Sequence, residues 1–183
     1  MKLRYSLLTA GLAAMAAPAH PAVTVIGNSF ARMCYTAAEG VGGAEAIGDC
    51  DQALLVDNLT ISDMVATHVN RGILKLRRGS VDAAITDFDR AIALDSGEAE
   101  AYLNKGMALL RIPGSGEQAV VLFDTALAKK TRKPAVAYYG RAIAHELNGR
   151  IPDAYRDYRQ ASALEPKWRD PKNELARFTV RRQ

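Results

Sequence analysis

The groups in this 183-residue chain with chemistry to offer are two cysteines, three histidines and a recurring set of Asp, Arg and Lys residues. The histidines are His20, His68 and His145, and none stands at metal-ligand spacing from a cysteine or from another histidine. A catalytic histidine needs partners that orient it, and without them His68 reads as a packed or rim side chain. Asp87 and Asp89 share one predicted helix but project from different faces, so they do not form an acid/base pair. The chain contains no Gly-rich phosphate loop, no GxSxG elbow and no HExxH pair. The expectation is a protein that is not an enzyme, with no catalytic residue, cofactor or metal.

Cys34 and Cys50 depend for their meaning on the compartment. Lys2 and Arg4 open the chain, an uncharged apolar stretch runs from Tyr5 to Ala17, and Ala17-Pro18-Ala19 supplies small residues at signal-peptidase spacing. The apolar run is shorter than the roughly 20 residues that cross a bilayer. Residues 1–19 therefore read as a cleavable signal peptide, and the chain as periplasmic or secreted without stable membrane insertion. Its removal takes the formal charge from +4 to +2, because Lys2 and Arg4 leave with it. An even cysteine pair in an exported chain points to a disulfide, with two buried free thiols or a redox pair as the alternatives.

Internal similarity organises the rest. Asn70-Arg71-Gly72-Ile73, Gly79, Ala83-Ala84-Ile85 and Asp87-Phe88-Asp89-Arg90-Ala91-Ile92 form a block. A shift of 34 residues puts Asn104-Lys105-Gly106-Met107 on its start; Ala119, Phe123 and Ala126 follow one residue late. A shift of 70 puts Arg141-Ala142-Ile143, Gly149, Ala154, Asp157-Tyr158 and Ala161 on the same pattern. The units span 65–98, 99–133 and 135–168. Apolar residues at spacings of three and four within each unit predict two helices, for example Ile73, Leu74 and Leu76 on the first and Ala84, Ile85, Phe88 and Ile92 on the second.

The small residues Gly72, Gly106 and Ala142, then Ala84, Ala119 and Ala154, then Ala91, Ala126 and Ala161, together with Phe88, Phe123 and Tyr158 and Pro166, resemble the tetratricopeptide repeat at its positions 8, 20, 27, 24 and 32. The resemblance implies an all-α fold, a right-handed superhelical array of antiparallel helix pairs with a C-terminal capping helix. One pair cannot bury both its faces, so neighbours must stack. Residues 20–64 read as a degenerate first pair, with Cys34 on Gly72 and Cys50 on Phe88, across a turn at Gly40-Val41-Gly42-Gly43. A disulfide there would clamp the two helices in place of the absent aromatic. Residues 169–183 read as a capping helix begun at Asp170-Pro171 and carried to Val180, with Leu175, Phe178 and Trp168 covering the last pair, and a basic tail Arg181-Arg182-Gln183.

The resemblance also implies a concave wall built from the first helix of each pair. Its candidate residues here are Arg32, Tyr35, Val69, Asn70, Ile73, Leu103, Asn104, Met107, Tyr139 and Ile143, with Gly140 at the asparagine position of the third unit. The wall is apolar with two central asparagines, each offering a donor and an acceptor. That chemistry suits an extended or helical apolar segment of a protein partner rather than an acidic tail; the alternative is that Asn70 and Asn104 only cap or bridge helices. Arg71, Lys105 and Arg141 recur opposite Asp87, Asp89, Asp124 and Asp157, which predicts ion pairs between helices and argues against nucleic acid. The functional expectation is a protein-binding module of the cell envelope, with self-assembly into homo-oligomers as the second reading.

Overall fold

The structure is a computed structural model, and it describes residues 22–24, 29–40 and 46–178. The signal segment 1–19, His20, most of the first turn at 41–43, Val180 and the basic tail lie outside the described residues. Among the described residues there are nine helices and no strand: α1 Phe30–Glu39, α2 Ala46–Val56, α3 Ile61–Arg77, α4 Val81–Leu94, α5 Ala99–Leu109, α6 Gly116–Ala128, α7 Pro134–Leu147, α8 Ile151–Leu164 and α9 Asp170–Ala176.

Local sequence accounts for the breaks. Thr60 caps α3 by accepting from the Asp63 backbone N–H at 3.1 Å and donating to the Asp63 carboxylate at 2.8 Å. At the other end Gly79 adopts φ +81°, and the Ser80 N–H reaches back to the Lys75 carbonyl at 2.9 Å. Gly149, seventy residues on, repeats this stop with φ +71° and an Arg150-to-His145 bond of 2.8 Å. Gly lacks the β-carbon that makes this left-handed turn costly.

Each helix packs against its neighbours in sequence, and the odd-numbered helices also touch along the row α1, α3, α5, α7. The even-numbered helices make no comparable contact with one another. A row in contact on one side and spread on the other is a curved array, with α1, α3, α5 and α7 on its inner wall. Arg77 ties successive inner helices by donating to the Gly40 and Ala38 carbonyls at 2.7 and 2.6 Å, at the C-terminus of α1. Arg111, 34 residues later, donates to the Leu76 carbonyl at 2.5 Å and does the same for α3. These are carbonyls that a helix end leaves without an internal partner.

Within a pair, the helices approach where glycine meets an aromatic ring. A β-carbon built on Gly72 would stand 2.5 Å from the Phe88 ring, and one on Gly106 would stand 2.9 Å from the Phe123 ring. Phe88 and Phe123 are fully buried there. The first pair has neither partner; Cys34 and Cys50 occupy the two positions and are joined, with an S–S distance of 2.09 Å and Cα atoms 4.9 Å apart. At the far end Trp168, Leu175 and Phe178 cover Tyr139, Ala142, Ala154, Tyr158 and Ala161. The closing helix differs from the expectation in extent. It runs from Asp170 to Ala176, and the Asp170 carboxylate accepts from the Trp168 indole at 3.0 Å.

Gly72→Ala should lower stability by about 2 kcal/mol, since the added methyl overlaps a ring with no room to retreat. Urea denaturation of the variant against wild type measures this. Reduction of the 34–50 bridge should cost roughly 3 kcal/mol by the chain-entropy argument, read as a shift in the denaturation midpoint with and without reductant.

Candidate functional site

The inner wall brings the expected residues onto one row of helices but buries several of them. Val69, Asn70 and Ile73 of α3 and Leu103 and Asn104 of α5 are fully covered, and Tyr139 of α7 nearly so. Tyr35, Met107 and Ile143 are half-buried, and Arg32 is exposed. Val69 and Ile73 join the cluster around Phe88, and Leu103 joins the one around Phe123. Tyr139 turns onto Trp168 with ring centres 4.7 Å apart, so its ring faces the segment leading into α9. In the third unit a β-carbon on Gly140 would stand 2.5 Å from the Phe123 ring and 3.1 Å from the Met107 sulfur. The ring of the preceding unit takes the space an asparagine would need, which is why the asparagine series stops at two.

Asn70 is engaged on both sides of its amide. Its Nδ2 donates to the Val23 carbonyl at 2.7 Å, and its Oδ1 accepts from the Val23 backbone N–H at 2.8 Å. Val23 lies outside any helix, yet it is nearly buried and joins the cluster that holds Val69 and Ile73. Ala22 packs beside it. Tyr35 meets Thr24 and Glu39 through its hydroxyl; the Glu39 carboxylate raises its pKa, and Thr24 pulls the other way. Asn104 uses its Nδ2 within its own helix, donating to the Glu100 carbonyl at 2.9 Å. Val23 was not among the residues singled out from sequence, since nothing in a short Ala-Val-Thr run marks a segment that folds back on a helix row.

The bases opposite the aspartates form a regular lattice. Arg71 holds Asp87 of its own pair through Nε and NH2 at 3.0 and 2.6 Å, and Asp51 of the preceding pair through NH1 at 2.7 Å. Arg141 repeats this with Asp157 at 2.7 and 2.8 Å and Asp124 at 2.5 Å. Lys105 reaches Asp89 of the preceding pair at 2.5 Å. Its own pair has Leu122 where Asp87 and Asp157 stand in the others, so one carboxylate suffices for a lysine. A guanidinium fork can bridge two carboxylates, whereas an ammonium is a single point charge.

Asp87 is the most concentrated of these centres, with a side chain only 3% exposed. Burial alone would raise its pKa. Hydrogen bonds from His68, Arg71 and Lys75 outweigh that and hold it well below the ordinary carboxylate range. His145, beside Asp157 at 3.6 Å, is lowered instead, because burial outweighs that carboxylate. A second buried acid, Glu100, accepts from Thr131 at 3.0 Å and from the Arg132 backbone N–H at 2.7 Å, fastening the α6–α7 connection to α5. Every strongly perturbed acid here is explained by its place between stacked helices.

Residues 69–114, from within α3 to the turn after α5, match the family profile of the tetratricopeptide repeat. That stretch of the chain is tetratricopeptide repeat sequence. Solved structures of similar fold include "MamA RS-1 ArsTM double mutant", at TM-score 0.63 and 19% identity over 82% of this chain and 83% of that one. "MamA MSR-1 C2" superposes at TM-score 0.57 and 19% identity over 73% of each chain. A third, "Crystal structure of MamA protein", does so at 0.54 and 23% identity over 75% of this chain and 69% of that one. No curated protein sequence matches the chain. These likenesses establish a shared helical array.

Asp87→Asn should destabilise the array by about 3 kcal/mol at pH 7, because Arg71 and Lys75 lose the charge that holds them. Asp87 binds its proton less readily folded than unfolded, where the reference value is 3.8. Its contribution is therefore complete above about pH 5 and is lost as the pH falls below about 4. Urea titrations of wild type and variant should show a gap that is constant from pH 5 to 8 and narrows towards pH 2.

Proposed function

We propose that the inner wall is a receptor for an extended segment of a protein partner in the cell envelope. The observation that carries this reading is the Asn70 amide, which pairs with both backbone groups of one residue outside the helices. Backbone pairing gives affinity without demanding one sequence, and the apolar side chains around it select what fits. The envelope location rests on the signal-like residues 1–19 and on the Cys34–Cys50 bridge, since such bonds persist in oxidising compartments. Among the described residues no helix is long and apolar enough to cross a membrane.

A photoreactive residue in place of the exposed Arg32 should capture a partner in the native envelope. The same residue at Arg159 on α8 should not. Capture should fall at least about tenfold when Asn70→Ala and Asn104→Ala are combined, the loss expected when a buried amide pair is removed. Undiminished capture in a folded double variant would sink the groove reading. The mass of the protein recovered from the envelope should begin at His20.

A second reading has its own observation. Phe30, Met33, Leu55, Val56 and Ile61 leave large apolar side chains exposed on the first two pairs. An exposed apolar face on a repeat array is a surface for another copy. Sedimentation across a hundredfold range of concentration tests this; a constant monomer mass excludes it.

A further inference from the structure

Val23 is the one member of the described core that no helix carries, and its position says what the Asn70 site reads. Both the N–H and the carbonyl of a single residue are taken by one side-chain amide, at 2.8 and 2.7 Å. A residue inside a helix cannot present both groups, because each is already bonded along the helix. An extended residue presents both on one edge, as paired residues of an antiparallel ladder do. The site therefore selects an extended backbone. The Val23 side chain joins the buried apolar cluster that includes Val69 and Ile73, surroundings that suit a small β-branched residue. Tyr35 adds a polar contact to the residue that follows, Thr24.

We propose that this site binds extended segments carrying a valine-sized side chain, and that Ala22–Thr24 of the chain itself is its resident occupant, which a partner segment must displace. The inference rests on the groove reading above and gives it a ligand chemistry and a built-in competitor. Only residues 25–29 separate Thr24 from the start of α1 at Phe30. So short a tether sustains an effective concentration of about a millimolar, so a free segment with an intrinsic dissociation constant of about 0.1 mM would bind about tenfold more weakly to the occupied chain. The competitor replaces like with like: it must supply an N–H and a carbonyl to the same amide. Proline in place of valine cannot, because it has no N–H.

The test uses the full chain as purified, in wild-type form and as Val23→Pro, and a fluorescein-labelled peptide Pro-Ala-Val-Thr-Val. Fluorescence anisotropy should show the variant binding the peptide about tenfold more tightly than wild type. The same peptide with proline for valine should bind neither, and Asn70→Leu added to Val23→Pro should remove binding. Should Val23→Pro not fold by circular dichroism, Val23→Asp serves the same purpose. In parallel, the Val23 amide of wild type should exchange with solvent at least about tenfold more slowly than an unstructured amide, and Asn70→Leu should abolish the protection. Equal affinity of wild type and Val23→Pro for the peptide, or an unprotected Val23 amide, overturns the resident-occupant proposal. If capture at Arg32 still requires the asparagines in that case, the groove reading stands; if it does not, both fall.

Discussion

The contact between a glycine on one helix and an aromatic ring on the next sets the geometry from which everything else follows. With the Phe88 ring 2.5 Å from where a Gly72 β-carbon would be, the two helices of that pair lie as close as backbone and ring permit. The same contact recurs at Gly106 and Phe123. Close crossing inside each pair leaves an apolar face on either side that only a neighbouring pair can cover, so stacking is compulsory. In the first pair the ring and its glycine are both gone, and a covalent bond between Cys34 and Cys50 holds the same crossing. One geometric requirement is thus met by two different chemistries.

Stacking is then fastened by charge rather than by more hydrocarbon. The bases at Arg71, Lys105 and Arg141 each reach an aspartate of the preceding pair, and the two arginines also hold one of their own. Where a pair lacks its own aspartate, a lysine replaces the arginine. Such paired, half-covered ions cost desolvation, and their value lies in register: a pair displaced along its neighbour would part Arg71 from Asp51, Lys105 from Asp89 and Arg141 from Asp124. Fixed register aligns α1, α3 and α5 into one wall, and that wall brings Tyr35 and Asn70 to the same three-residue segment. The rigidity of the scaffold and the precision of the Asn70 site have a common origin.

Most of the architecture was legible in the residues themselves. Small and aromatic residues at fixed spacing reflect contacts between helices adjacent in the chain, so the repeat period, the pairing of helices and the cysteine substitution could all be read from local pattern. The ion pairs could be anticipated because they too join consecutive elements. The last helix ends at Ala176, a few residues short of the extent read from the sequence.

What the sequence determined, then, is the set of helices and the order in which they stack, since both depend on interactions a few tens of residues apart at fixed periods. What only the tertiary structure decided is the use of the inner wall. Asn70 occupies a repeat position, yet its amide takes the backbone of Val23, a residue outside the repeats and 47 positions away. Gly140 at the third such position was equally silent until the Phe123 ring was seen filling its space. No periodicity specifies these outcomes, because each depends on which non-repeated group happens to reach the wall. The segment that reaches it is held by a side-chain amide and a shape, neither of which leaves a pattern in the chain.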